Sequence, residues 1–274
     1  MKRLLKLILP NGVVDLLRNR RKLRDVGRRL SPAELFSTHR LAVGADMSGL
    51  TLFPPGRVED LRYVIDIGAN VGQWSSMLLE CIAPQRLIIA EPIPDAFTIL
   101  QKKFGNNPAI ELHNVAIGDH DGIVKLKVTR DTTGASLLQP REEMREMVGS
   151  NWAVASEIDV KITTLDRLTA ALEEVSLLKI DVQGYEKQVL EGAAQTLRKT
   201  KFILIELNFM PQYEGGSWLG EIHQILTRDS GFFLANATAP QVLNGRASMC
   251  DGLYVNPALV QEWTDPRFIS NATE

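Results

Sequence analysis

From about residue 62 onward, short runs of aliphatic and β-branched residues alternate with amphipathic stretches, the pattern of βαβ units around a parallel sheet. The first run is Tyr63-Val64-Ile65-Asp66-Ile67. After the turn Gly68-Ala69-Asn70-Val71-Gly72, the residues Trp74, Met77, Leu78, Cys81 and Ile82 recur at helical spacing. A second run, Leu87 to Ala90, ends at Glu91-Pro92. The helix that follows, from about Asp95 to Phe104, buries Phe97, Leu100 and Phe104 and is stopped by Gly105. The third run spans Ile110 to Ile117 and ends at Gly118-Asp119, and Ile123 to Val128 alternates as an antiparallel addition would. Beyond Ile162 to Leu168 come Leu177 to Asp181, a helix around Glu186 to Leu197, and the run Phe202 to Glu206. A helix over about Trp218 to Leu226 precedes two last strands, Phe232 to Asn236 and Gly252 to Asn256, expected as a hairpin. The sum is an α/β fold: an open, doubly wound, mostly parallel sheet.

Such sheets take their ligands beyond the carboxyl ends of the strands. The residues at those ends are Asp66 to Gly72, Glu91-Pro92, Gly118-Asp119, Asp181 and Glu206 to Asn208. A glycine-rich turn after a first strand brings backbone close to a ligand. Here Asn70 stands where a dinucleotide fingerprint needs its second glycine, and the spacing to Gly72 is one residue short. That argues against a pyrophosphate and leaves a nicotinamide-dependent oxidoreductase as the weaker alternative. Acidic and amide side chains in the turn suit a ligand with an ammonium and a carboxylate, such as S-adenosylmethionine. Glu91, about twenty residues on, is placed to accept hydrogen bonds from two ribose hydroxyls. Asp119 either faces an adenine amino group or is a turn residue of Gly118 to Gly122. The polar, irregular stretch from Thr129 to Ser156, with one helix around Arg141 to Val148, has the length of a lid or binding loop.

The 274 residues are 45% hydrophobic and 23% charged, with a net charge of −2, so nothing global points to nucleic acid. Residues 1–30 differ, with ten basic side chains against Asp15 and Asp25. Together with the apolar edge Leu4, Leu5, Leu7, Ile8 and Leu9, this reads as an arm for an anionic membrane surface, or as a solvated helical arm on its own domain. The apolar run is too short for a signal peptide and no run has transmembrane length, so the expected location is the cytoplasm, with peripheral association on the inner face of the membrane. Cys81 and Cys250 read as reduced core residues. The expected divisions are a basic helical arm (1–58), a main domain (59–257) and a tail (258–274).

Four segments resemble the FkbM family of S-adenosylmethionine-dependent methyltransferases. They are Val64 to Trp74 (VIDIGANVGQW), Asn114 to Asp119 (NVAIGD), Thr164 to Leu168 (TLDRL) and above all Leu178 to Glu186 (LKIDVQGYE). The resemblance runs in order from about residue 62 to 256. It implies a seven-stranded Rossmann-like methyltransferase fold and methyl transfer to an oxygen of a sugar, glycolipid, polysaccharide or natural product. A non-catalytic, ligand-binding descendant is the other reading. By the same resemblance Asp66, Gly68, Asn70 and Gly72 belong with the methionine end of the cofactor, Glu91 and Pro92 with the ribose, and Ala116, Ile117 and Asp119 with the adenine edge. Asp181 falls beside the sulfonium and the acceptor hydroxyl. Candidates for the base are Asp181, Glu206, Glu214 and His223, the last also readable as a helix-flank histidine. Metal-dependent O-methyltransferases of this fold raise a further expectation, a Mg²⁺ held by Asp181, Glu206 and Asn208, set against single-residue roles for these side chains.

Overall fold

The structure is a computed structural model and describes residues 49–53 and 57–260. Most of the basic arm and most of the C-terminal tail therefore lie outside the described residues. The main sheet is built from β1 (Tyr63–Ile67), β2 (Arg86–Ala90), β3 (Ile110–His113), β7 (Val175–Ile180), β8 (Thr200–Asn208), β9 (Phe233–Ala237), β10 (Gln241–Leu243) and β11 (Arg246–Val255). Its order is β10-β11-β8-β7-β1-β2-β3, with β9 also paired to β11. The strands from β3 to β8 run parallel, and β11 enters antiparallel beside β8. Every residue of β7 is buried, as expected for a central strand covered on both faces. On one face Ile65, Ile88, Leu178 and Ile203 pack with Val189, Leu197 and Ile222 of the later helices. On the other, Val64, Ile89, Leu177 and Leu204 pack with Trp74 and Leu78 of α1 (Gln73–Cys81) and Leu100 of α2 (Pro94–Phe104). Leu50, Leu52, Phe53 and Val58 are buried in that second cluster, so the packed body includes residues that the sequence reading gave to the arm.

The third hydrophobic run is two strands. Asn114 Nδ2 donates to the carbonyls of Glu91 and Pro92 and turns the chain there, ending β3. β4 (Ala116–Gly118) then joins a separate three-stranded sheet, β4-β6-β5, with β5 (Gly122–Thr129) antiparallel to β6 (Val154–Thr164). Residues Leu165–Leu168 form a short helix whose N-cap Thr164 accepts from Arg167 N. The helix expected over 186–197 breaks into Glu186–Glu191 and Ala194–Arg198. At the break a Cβ on Gly192 would lie 2.0 Å from the carbonyl oxygen of Gly118, so β4 passes too close for a side chain. The C-terminal strands pair antiparallel, as expected, but β11 is twice the expected length and carries β10 as an extra edge strand, giving the main sheet eight strands.

Candidate active site

A cavity of about 1030 Å³ opens at the carboxyl ends of β1, β2 and β7 and continues past β8 to β11. Its first end is the turn after β1, where Gly68, Asn70 and Gly72 all have positive φ. Gly68 is required by contact as well, because a Cβ there would meet the carbonyl oxygen of Asp181 at 1.8 Å. Glu91, at the end of β2, is buried and holds the turn in shape. Its carboxylate accepts from Asn70 N at 2.7 Å and from Ile93 N at 2.8 Å. Burial pushes the Glu91 carboxyl up to about 7; the two backbone N–H groups and Lys179 pull the other way, and Asp66 adds to the rise. Pro92, Ala116 and Ile117 line the same end.

Asp66 sits behind the wall. It is fully buried, accepts from Ser75 Oγ at 2.6 Å, and lies 3.3 Å from Lys179 Nζ. Lys179 also reaches Asp181 at 3.4 Å and stacks 6.0 Å from the centre of the Trp74 ring. Burial alone would lower the lysine's pKa, but Asp66, Asp181 and Asp251 outweigh it and raise it, so the ammonium is permanent. Lys179 was not singled out by the sequence reading. The signal was present: one cation inside the apolar run Val175 to Ile180.

Gln183 was missed too. It adopts φ 56 in the turn after β7, which is unusual for a residue with a side chain. Its Nε2 donates to Asp181 Oδ1 at 2.8 Å and lies 3.4 Å from Glu206 Oε2. The Tyr213 hydroxyl lies 3.0 Å from Gln183 Oε1 and 3.1 Å from the Gly134 carbonyl. Trp152 stacks on Tyr213, and Ser136 Oγ donates to the Gln183 carbonyl at 2.7 Å. The stretch read as a lid or binding loop therefore does line the cavity, through Thr132, Thr133, Ser136, Leu137 and Trp152.

Several candidate residues are corrected by the geometry. Asp119 lies outside the cavity wall with its carboxylate on His120 at 2.7 Å, consistent with the turn-residue reading. His223 packs on the opposite face of the sheet, its Nδ1 3.1 Å from the hydroxyl of Tyr254, and it does not reach the cavity. Glu214 is exposed and also outside. Glu206 lines the cavity, but burial first, then the charges of Asp181 and Glu186, drives its carboxyl well above the usual range. Its side chain is engaged by the Asn208 amide at 3.0 Å and by the Gln183 amide at 3.4 Å. The Mg²⁺ reading loses its ligands. Asn208 spends Nδ2 on Glu206 at 3.0 Å and Oδ1 on Gln212, while the Gln183 amide and the Lys179 ammonium occupy the space a cation would need beside Asp181. Among the described residues no three His, Cys, Asp or Glu side chains group as metal ligands. Catalysis should accordingly survive exhaustive EDTA treatment at full rate; loss restored by added Mg²⁺ or Mn²⁺ would reinstate the metal.

Residues 66–234 match the methyltransferase FkbM domain, and the chain belongs to this family. The sheet order is the Rossmann-like one of the S-adenosylmethionine-dependent methyltransferases. Among curated proteins, the chain is 31% identical over 163 residues to the 2-O-methyltransferase NoeI of Sinorhizobium fredii, covering 56% of this chain and 65% of that one. It is 28% identical over 147 residues to Methyltransferase 1 of Beauveria bassiana, covering 48% and 59%. The chain thus spans less than two thirds of the length of these relatives. A solved structure, methyltransferase FkbM from Methylobacillus flagellatus, aligns with a TM-score of 0.47 at 15% identity, over 88% of this chain and 60% of that one. Among the described residues no helix is long and apolar enough to cross a membrane.

Proposed function

We propose that the chain is an S-adenosylmethionine-dependent O-methyltransferase acting on a hydroxyl of a sugar, a glycolipid or polysaccharide, or a natural product. The observation that carries this reading is the single cavity joining the Gly68–Val71 turn and Glu91 at one end to Asp181 at the other. Its lining fits the cofactor. Glu91 keeps lone pairs for ribose hydroxyls, the apolar Ile93, Ala116, Ile117 and Leu126 suit an adenine, and Asn70 and Asp181 suit cationic groups. When bound, the cofactor supplies a methyl group already activated by its sulfonium. The remaining task of the protein is to align the acceptor hydroxyl and take its proton. Asp181 is the residue for that step: its side chain is partly exposed to the cavity and is held from two sides, by Lys179 and by Gln183. Transfer to oxygen is supported by the name of the bacterial relative, a 2-O-methyltransferase.

The test is transfer of a labelled methyl group from S-adenosylmethionine to a panel of glycosides, cell-envelope glycans and polyketides. Alkali-stable label in an ether linkage supports the reading. Label in no acceptor, with the cofactor bound, would mark a non-catalytic descendant. Glu91→Ala should weaken cofactor binding by about 1.5 to 3 kcal/mol, the worth of hydrogen bonds to a charged group. Because Glu91 also ties down Asn70 N and Ile93 N, its thermal midpoint should fall as well. An unchanged dissociation constant in calorimetry would remove Glu91 from the cofactor end.

Residues 1–30 are proposed to hold the protein against anionic membrane, through ten cations and the apolar edge Leu4 to Leu9. Full-length protein should float with phosphatidylglycerol-containing liposomes at low salt and be released at high salt. Indifference to such vesicles at low salt would end this part of the proposal.

A further inference from the structure

Tyr185 brings an aromatic ring to the end of the cavity that holds Glu91. It follows Gln183 and Gly184, both with positive φ, and precedes the helix Glu186–Glu191. A Cβ built on Gly118 would lie 2.9 Å from Tyr185 Cε1 and 2.7 Å from Ile162 Cδ1, so the ring rests against bare backbone of β4. Partly buried, it packs with the cluster of Ile93, Ala116, Leu126 and Ile162, and among the described residues it is the one aromatic ring of that cluster. Ile93, Ala116 and Leu126 line the cavity together with Tyr185. The cluster adjoins Glu91, whose carboxylate accepts from Ile93 N at 2.8 Å. Asp119, the polar residue expected at this edge, is turned to His120 outside the wall. The chain has four tyrosines, and the other three, Tyr63, Tyr213 and Tyr254, are not on the cavity wall.

We propose that the ring of Tyr185 is the surface on which the adenine of S-adenosylmethionine stacks. The proposal rests on the methyltransferase reading, because it assigns the end with the Gly68 turn and Glu91 to the cofactor. The physical reason lies in the difference between the ring and its neighbours. Aliphatic side chains such as Ile93 and Leu126 bury any apolar group of the right size. An aromatic face adds dispersion over a flat area and an electrostatic preference for the offset stacking of another π-system, and it holds that system in one plane. Gly118 belongs to the same device, since a side chain on it would take the place of the ring.

The experiment is NMR on the full chain with isotope-labelled tyrosine rings, and the probe is S-adenosylhomocysteine. With the probe bound, the adenine ring protons should show cross-relaxation to the ring protons of one tyrosine. That signal should vanish in Tyr185→Phe, which keeps a ring, while calorimetry finds the affinity within about threefold of the wild type. Tyr185→Leu keeps an apolar side chain and removes the ring, and it should bind roughly tenfold more weakly or worse, the scale of a base–aromatic contact. A residue that only filled space beside Ile93 and Leu126 would be replaced by leucine without loss. Bound S-adenosylhomocysteine with no cross-relaxation from adenine to a tyrosine overturns the proposal and leaves the methyltransferase reading standing. So does a signal that persists in Tyr185→Phe, or a folded Tyr185→Leu that binds within about threefold of the wild type. If Tyr185→Leu does not fold, the cross-relaxation alone decides. If S-adenosylhomocysteine does not bind the wild type, the reading and the proposal both fall.

Discussion

Asp181→Asn should lower the rate of methyl transfer by roughly two to four orders of magnitude, the usual share of a positioned general base. The substitution keeps the size of the side chain and removes its capacity to accept a proton, together with the negative charge 3.4 Å from Lys179. The turn after β7 should hold, because Gly184 N and Val182 N are anchored by Glu186, and Ser217 Oγ donates to the other oxygen of that carboxylate at 2.7 Å. Cofactor affinity should change much less than turnover, so the loss should fall on kcat at saturating S-adenosylmethionine. The alternatives among the acids are already constrained: burial and the charges of Asp181 and Glu186 raise the Glu206 carboxyl, and Glu91 is engaged at the other end of the cavity. A loss of less than about fivefold would move proton acceptance away from Asp181, the acceptor's own environment being then sufficient.

Lys179→Met should cost about 3 to 5 kcal/mol of stability, the penalty for leaving a buried charge without its partner. Asp66 is fully buried, and its charge is carried by one ammonium 3.3 Å away and one serine hydroxyl. The pair as such need not stabilise the fold, since desolvation offsets most of the attraction. Adding Asp66→Asn to Lys179→Met should therefore recover most of the loss, and the non-additivity is the signature to look for in urea unfolding. Lys179→Met alone costing under about 1 kcal/mol would show that the lysine is not what keeps Asp66 in the core.

The elements that position the site were legible because each has a strong local signal. β1, β2 and β7 are apolar runs ended by Asp66-to-Gly72, Glu91 and Asp181, and their C-terminal ends line the cavity as the parallel-sheet rule requires. What was not legible depends on contacts between distant segments. The break between β3 and β4 is made by Asn114 reaching the carbonyls of Glu91 and Pro92, a bond no periodicity announces. The break at Gly192 comes from the approach of Gly118 across 74 positions of sequence. His223 was open to two readings, a base or a helix-flank histidine beside Leu219 and Leu226, and its contact with Tyr254 fits the second. The Mg²⁺ reading failed for a similar reason. Spacing placed Asp181, Glu206 and Asn208 at neighbouring strand ends correctly, but only the folded chain reveals that the Gln183 amide bridges Asp181 and Glu206 and that Lys179 pairs with Asp181. Lys179 is a charge in the apolar strand β7, and that oddity was the usable signal for it.

The account turns on one cavity holding S-adenosylmethionine between the Gly68 turn, Glu91 and Asp181, and equilibrium binding tests that most directly. Isothermal titration of the full chain with S-adenosylmethionine and with S-adenosylhomocysteine should give one site per chain. NADH, which brings the pyrophosphate that the Asn70 turn does not suit, should give no heat. Saturable binding of NADH with none of either adenosyl compound would contradict the account.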